Sequence, residues 1–547
     1  MGVLIEARNL SFEYVKSNNK CLKDVNFSIE EGDFALLFGR SASGKSTLLK
    51  HFKKPLIPRG NREGKVFFLG ENIDNMSDKD NASKIGYVFQ NPDEQIVTDT
   101  VMHELVFGLE SLGEKSDVMN IRASEIAGYF GISSWLDKDI RHLSGGQKQL
   151  VNLASVMIMR PKMLILDEPT AYLDPISADK FLRTLRKMHQ DLGITVLIAE
   201  HRLNKVLQYA SKILYINKGS LKSFDTTDEL ADFMLNNKDK MATALPDPLK
   251  IAAYMKAKHP YPITALEGKK YLNNINPDKV SIENNHSLAR DCKPALEAKE
   301  VCFRYEKDGA DILNDFNMTI KKGSLCALMG DNGCGKSTAL SILSRIYMPY
   351  RGKITVLGKK INTYSSEELY KNTLAYLTQE PIALMSKDTV FDELLSMNDE
   401  HTARLVASYV GIDDILDMHP YDLSQGQLQL VSLAKIILLK PRIIFLDEPT
   451  KGMDGALKED FAKILSNLKS QQVAILMVTH DIDFVAEYAD ECAFMFQGKI
   501  AYQGSPREFF SQNYFYTTLA CAMSKDYFEG ALTAEEVLSC LKKVKTI

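Results

Sequence analysis

Two short runs in this chain end in Lys-Ser-Thr and put a glycine directly before the lysine. The first is Gly39, Arg40, Ser41, Ala42, Ser43, Gly44, Lys45, Ser46 and Thr47; the second is Gly330, Asp331, Asn332, Gly333, Cys334, Gly335, Lys336, Ser337 and Thr338. Each follows an apolar stretch, 34–38 or 325–329, that reads as a buried strand. The spacing is that of a phosphate-binding loop between a strand and a helix. Glycines let successive backbone N–H groups turn onto phosphate oxygens, and the helix that follows adds its positive end. Lys45 and Lys336 bring a point charge to the β- and γ-phosphates of ATP, and Ser46 and Ser337 offer a hydroxyl to Mg²⁺.

Further along each half, four apolar residues precede a pair of acids: 163–166 before Asp167 and Glu168, and 443–446 before Asp447 and Glu448. Acids at the end of a buried strand are costly unless a cation meets them. Asp167 and Asp447 are read as Mg²⁺ partners, and Glu168 and Glu448 as general bases for an attacking water. A strand-end salt bridge is the alternative. His201 and His480 each follow another apolar strand, a place where a histidine is often only structural. Tyr14 and Tyr305 could be ordinary strand aromatics, with Phe12 and Phe303 two residues before them. Yet each precedes its loop lysine by 31 residues, which favours stacking on adenine.

Composition narrows the function classes. The chain has 547 residues, with 67 Lys plus Arg against 71 Asp plus Glu, a net charge of −4 that does not suit a dedicated nucleic-acid binder. No apolar run approaches a membrane span, and Glu6 and Arg8 interrupt any signal-like start. A cytosolic protein is expected, with any membrane role exercised through partners. The 8 cysteines form no C-x-x-C pair, so buried reduced thiols are expected rather than zinc or redox chemistry. Cys334, inside the second loop, stands in a positive environment that predicts a lowered thiol pKa and sensitivity to oxidation.

The two halves repeat in order. Gln90 and Gln379 lie 45 and 43 residues after the loop lysines, and His201 and His480 lie 34 and 33 residues after the strand-end aspartates. Ser144, Gly145, Gly146 and Gln147 form one S-x-x-Q run; Ser424, Gln425, Gly426 and Gln427 form the other. Alone, that spacing is a helix capping box. Together these sets mean an internal duplication, and both halves resemble ATP-binding-cassette (ABC) domains over roughly 3–235 and 295–510.

The resemblance implies an α/β fold of two tandem P-loop NTPase domains. Each would have a RecA-like core sheet, an antiparallel β subdomain and a helical subdomain around the signature. It implies that His201 and His480 contact the γ-phosphate, and that Gln90 and Gln379 are metal or water ligands that sense it. It also implies that Ser144, Gly146, Ser424 and Gly426 belong to helix starts gripping the γ-phosphate bound to the opposite domain's loop. Gln425 replaces a glycine of the family signature, and activity is still expected there. Asp174 and Asp454 match a loop that the family places at its domain interface.

Gln90-Asn91-Pro92-Asp93-Glu94-Gln95, followed by the stretch 100–110, is similar to the ATPases of energy-coupling-factor importers of vitamins or transition-metal ions. That resemblance implies an integral-membrane coupling subunit and a membrane substrate-binding subunit as partners, at the cytoplasmic face of the membrane. The second half departs from the pattern at Gln379-Glu380-Pro381. Another transporter's ATPase and a soluble twin-cassette translation factor are the alternatives. Segment 236–294, broken by prolines, reads as a linker with one helical pattern at 249–258. Segment 511–547 reads as a tail with a helical pattern at 533–543, expected to pack on the second domain.

Overall fold

The structure is a computed structural model that describes residues 2–15, 19–282 and 293–545. The chain divides into two compact units, Met1–Pro246 with Lys256–Ile263, and Asp247–Met255 with Thr264–Ile547.

The first unit is built on a six-stranded sheet. Its order is Ser220–Phe224, Lys212–Asn217, Phe34–Gly39, Thr195–Ala199, Met163–Asp167 and Ile85–Val88, with only the first pair antiparallel. Strands buried on both faces must be apolar throughout rather than alternating. All five residues of Met163–Asp167 and of Thr195–Ala199 are buried accordingly. A second, antiparallel sheet orders Leu22–Glu30, Val3–Tyr14, Gly60–Phe68 and Glu71–Asn72. Three helices, Val101–Ser111, Ser116–Phe130 and Gly145–Met157, make the helical part.

Register decides what the core sheet presents. Leu37 pairs with Ala199, and Ala199 pairs with Asp167. Met163–Asp167 and Thr195–Ala199 therefore end level, and Phe34–Gly39 runs two residues beyond them, at the edge where open α/β sheets bind ligands. The backbone continues the pairing one step, since Glu168 N–H donates to Ala199 C=O at 3.0 Å. The phosphate loop, the acid pair and His201 thus leave the sheet side by side.

The second unit repeats this plan. Its core sheet runs Leu374–Leu377, Ile443–Asp447, Ala474–Val478, Leu325–Gly330, Glu491–Phe496 and Lys499–Gly504. The antiparallel sheet orders Leu313–Lys321, Pro294–Phe303, Arg351–Val356 and Lys359–Lys360. Its helical part contains Val390–Leu395, Glu400–Val410 and Gln425–Leu438. Asp447 pairs with Val478, and Glu448 N–H donates to Val478 C=O at 2.9 Å.

Segment 236–294 carries two helices where the sequence reading predicts one: Asp247–Tyr254 and Ala265–Ile275. The second has a full capping box from Thr264 and Glu267, a signal visible in the sequence. Beyond residue 510, Leu519–Ser524 and Ala534–Lys545 are helical. Ile251 and Leu272 share a buried cluster with Ala520, Met523, Phe528, Val537 and Leu541. The stretches before and after the second cassette thereby form one core.

Candidate functional site

The first phosphate loop joins Phe34–Gly39 to the helix Lys45–Lys50. Gly44 has φ +105°, and a Cβ there would come within 2.9 Å of Cys21 C=O; Gly335 has φ +107° in the second loop. Only glycine meets both demands. Lys45 is buried, and its Nζ donates to the carbonyls of Gly39 and Arg40, each at 3.2 Å. Lys336 does the same towards Gly330 at 2.8 Å and Asp331 at 2.9 Å. Ser43 Oγ is buried with no hydrogen-bond partner among the described residues. A buried hydroxyl left without a partner suits a loop built to receive phosphate oxygens.

Around Glu168 the first unit closes a polar network. Glu168 Oε1 lies 2.8 Å from His201 Nε2 and 3.4 Å from Lys45 Nζ, and Gln90 Nε2 donates to Oε2 at 3.0 Å. Burial alone would raise this carboxyl, but His201 foremost, with Lys45, holds it down at about 2. Asp167 accepts from Ser46 Oγ at 3.0 Å and from Tyr87 OH at 3.1 Å. Burial first, then the Glu168 charge, pushes Asp167 up to about 6.

The second unit has the same residues in a looser arrangement. His480 Nε2 is 3.5 Å from Glu448 Oε1 and 3.1 Å from Asn332 Oδ1. Gln379 is exposed and has no bond to Glu448 among the described residues. The pair between Lys45 and Glu168 has no counterpart at Lys336 among the described residues. Burial and Asp447 push the Glu448 carboxyl up to about 7. Asp447 accepts from Tyr376 OH at 3.2 Å, while its Oδ1 is buried with no hydrogen bond among the described residues.

Tyr14 OH and Thr47 Oγ1 hydrogen-bond at 2.8 Å, and Tyr305 OH and Thr338 Oγ1 at 3.0 Å. Each tyrosine stands edge-on to its phenylalanine, Phe12 at 4.9 Å and Phe303 at 5.1 Å between ring centroids. Both rings are therefore fixed beside their loops, and both remain exposed.

Ser144 and Ser424 start the helices Gly145–Met157 and Gln425–Leu438 with complete capping boxes involving Gln147 and Gln427. A Cβ on Gly146 would meet Ser177 Oγ at 2.8 Å, and one on Gly426 would meet Leu457 Cδ2 at 2.6 Å. Both glycines therefore serve close packing under the helix start. The Gln425 amide lies over Gly452, which has no side chain to obstruct it. The cap survives the substitution.

One expectation is corrected. The Cys334 thiol is raised, not lowered, because burial outweighs the charge of Lys336. The seven described cysteines are free, and Cys292 lies outside the described residues.

Four contributors are not singled out by the sequence motifs. Tyr87 and Tyr376 both donate to the strand-end aspartate, and each stands three residues before its glutamine, a repeat in plain view. Glu200, buried, accepts from Thr170 N–H at 3.1 Å and Oγ at 2.6 Å and from His201 N–H at 3.2 Å. Lys148 pairs with Asp93 at 2.6 Å, linking the loop after Gln90 to the helix that Ser144 starts.

A family described as ABC transporter matches residues 22–171 and 313–451, so both halves carry it. The chain belongs to the ABC transporter family. This ABC protein is 38% identical over 545 residues to a candidate ABC transporter ATP-binding protein of Bacillus anthracis, covering 97% of each chain. It is 30% identical over 528 residues, 93% of each chain, to a candidate HMP/thiamine import ATP-binding protein of Bacillus subtilis. A solved archaeal ribosome recycling factor, in complex with a ribosomal stalk protein, is 21% identical with a TM-score of 0.58, covering 92% of this chain and 91% of that one. At that identity the likeness speaks to the fold alone. The chain is thus an ABC-type ATPase with two ATP-binding cassettes. No helix among the described residues is long and apolar enough to cross a membrane.

Proposed function

We propose that this chain is the ATPase subunit of an energy-coupling-factor importer for a vitamin or a transition-metal ion. It would act at the cytoplasmic face of the membrane, with a membrane coupling subunit and a membrane substrate-binding subunit as partners. The observation that carries this reading is the stretch Gln90 to Gln95, with its turn Pro92–Glu94. Gln90 bonds Glu168, and the turn is tied to the helix Gly145–Met157 through Lys148 and through Asn152 Nδ2, which donates to Pro92 C=O at 3.1 Å. A partner pressing on the turn would therefore act on both the base and the helix start. The import name of the Bacillus subtilis relative supports a vitamin cargo.

In each cassette Lys45 or Lys336 would bind the phosphates together with the loop N–H groups. Glu168 or Glu448 would orient the attacking water and accept its proton as the bond from the γ-phosphorus to its bridging oxygen breaks. His201 and His480 would hold those carboxylates and reach the γ-phosphate. Tyr14 and Tyr305 would stack on adenine. Ser46, Asp167 and Gln90, and Ser337, Asp447 and Gln379, would hold Mg²⁺. Hard oxygen donors beside substrate phosphates suit this ion, and the orphaned Asp447 Oδ1 fits it. Bound there, Mg²⁺ would help neutralise the charge on the transferred phosphoryl group.

The test is expression of this chain with its neighbouring small membrane proteins. Co-purification and ATP-dependent uptake of one vitamin or metal ion support the reading. Purification with ribosomes, or no membrane partner at all, overturns it.

A further inference from the structure

The second phosphate loop contains an acid, Asp331, where the first contains Arg40. A carboxylate in a loop that must bind a polyanion is unfavourable unless it is turned aside. In the second unit the C-terminal tail meets it: the Tyr516 hydroxyl donates to Asp331 Oδ1. The Tyr516 ring stands edge-on to Phe494 at 4.9 Å, on the strand next to the one that carries the loop. Two residues on, Thr518 fixes the tail. Its Oγ accepts from Cys521 N–H at 3.1 Å and donates to Leu532 C=O at 2.7 Å. Arg507 adds bonds to Gly530 C=O and to Glu536. The hydroxyl is therefore held by a packed core, not by a free end.

We infer that Tyr516 is a positioning residue for the second ATP site, drawing the Asp331 carboxylate towards the tail and away from incoming phosphates. The first loop, with a cation at the corresponding position, needs no such tether. The inference rests on 330–338 being a phosphate loop, and the experiment keeps the two ideas apart.

Binding of trinitrophenyl-ATP to the full-length Lys45→Ala chain reports on the second loop. Adding Lys336→Ala should abolish most of the remaining binding; if it does not, the phosphate-loop reading is wrong. Adding Tyr516→Phe instead, which keeps the ring, should raise Kd roughly three- to tenfold, the scale of one displaced charge near a partly exposed phosphate site. In the otherwise unaltered chain, Tyr516→Phe should raise KM for ATP and leave kcat nearly constant. Asp331→Asn should restore the affinity of the Tyr516→Phe chain, because the charge to be turned aside is gone. Unchanged Kd in Tyr516→Phe, or a loss that persists with Asp331→Asn, would overturn the inference.

Discussion

Gln90 Nε2 donates to Glu168 Oε2 at 3.0 Å. The bond joins the residues that follow the edge strand Ile85–Val88 to the acid pair that ends Met163–Asp167, two elements distant in sequence and adjacent in the sheet. Gln379, at the corresponding place in the second unit, is exposed and makes no such bond among the described residues. Gln90→Ala should therefore slow ATP hydrolysis by roughly tenfold, the rate equivalent of one charge-assisted hydrogen bond. Gln379→Ala, which removes a proposed Mg²⁺ ligand but no bond to Glu448, should slow it less, by about threefold. Phosphate release at saturating ATP measures both, and equal losses would show that the asymmetry has no kinetic meaning.

Removing both proposed bases is a more severe change. Glu168→Gln with Glu448→Gln leaves Lys45, Lys336 and the loop N–H groups in place, so ATP should still bind. Hydrolysis should fall by about 10²–10⁴, the range for loss of a positioned general base. Equilibrium binding and single-turnover hydrolysis measured on the same preparation separate the two effects. A normal turnover rate would remove the assignment of both glutamates.

The placement of much of this candidate site was legible because its residues stand in short, ordered runs. The phosphate loops, the acid pairs and the strand-end histidines each follow an apolar strand, and duplication let one half check the other. The core sheets were legible for the same reason, since buried parallel strands are continuous apolar runs. What escaped was set by tertiary contact. Glu200 reads as one more acid beside His201, and nothing local shows that Thr170 will cap it. Cys334 was misjudged because a sequence shows the neighbouring lysine but not the burial that outweighs it. Tyr516 lies 185 residues from Asp331, beyond the reach of any motif.

The tail and the segment before the second cassette share one core, and this has a stability consequence. Phe528 is fully buried in it with Ile251, Leu272 and Met523. Phe528→Ala should cost about 3–5 kcal/mol by removing buried contacts and leaving a cavity. Calorimetry should show one transition moving down by roughly 10 °C while another stays in place, because the two units need not unfold together. A thermogram identical to that of the unaltered chain would mean the cluster contributes little.

The last prediction concerns the turn after Gln90. Charge reversal at both Asp93 and Glu94 would confuse two effects, because Asp93 already pairs with Lys148 at 2.6 Å. Glu94 is the cleaner probe. It is exposed, and among the described residues its Oε1 accepts only a 3.3 Å bond from Asn91 Nδ2 within the turn. An exposed bond of that length contributes little to folding. Glu94→Lys should therefore leave ATP binding and basal hydrolysis within about twofold, while association with a basic or polar partner surface weakens through charge reversal. Asp93→Lys combined with Lys148→Glu restores the internal pair in reverse and presents the opposite charge at the same place. If docking depends on this turn, both variants lose co-purification with the membrane coupling subunit and lose uptake, and raising the salt concentration narrows the difference from the unaltered chain. Full assembly and full uptake in both variants would remove the turn as a docking surface, and with it the main support for an energy-coupling-factor importer over another ABC transporter.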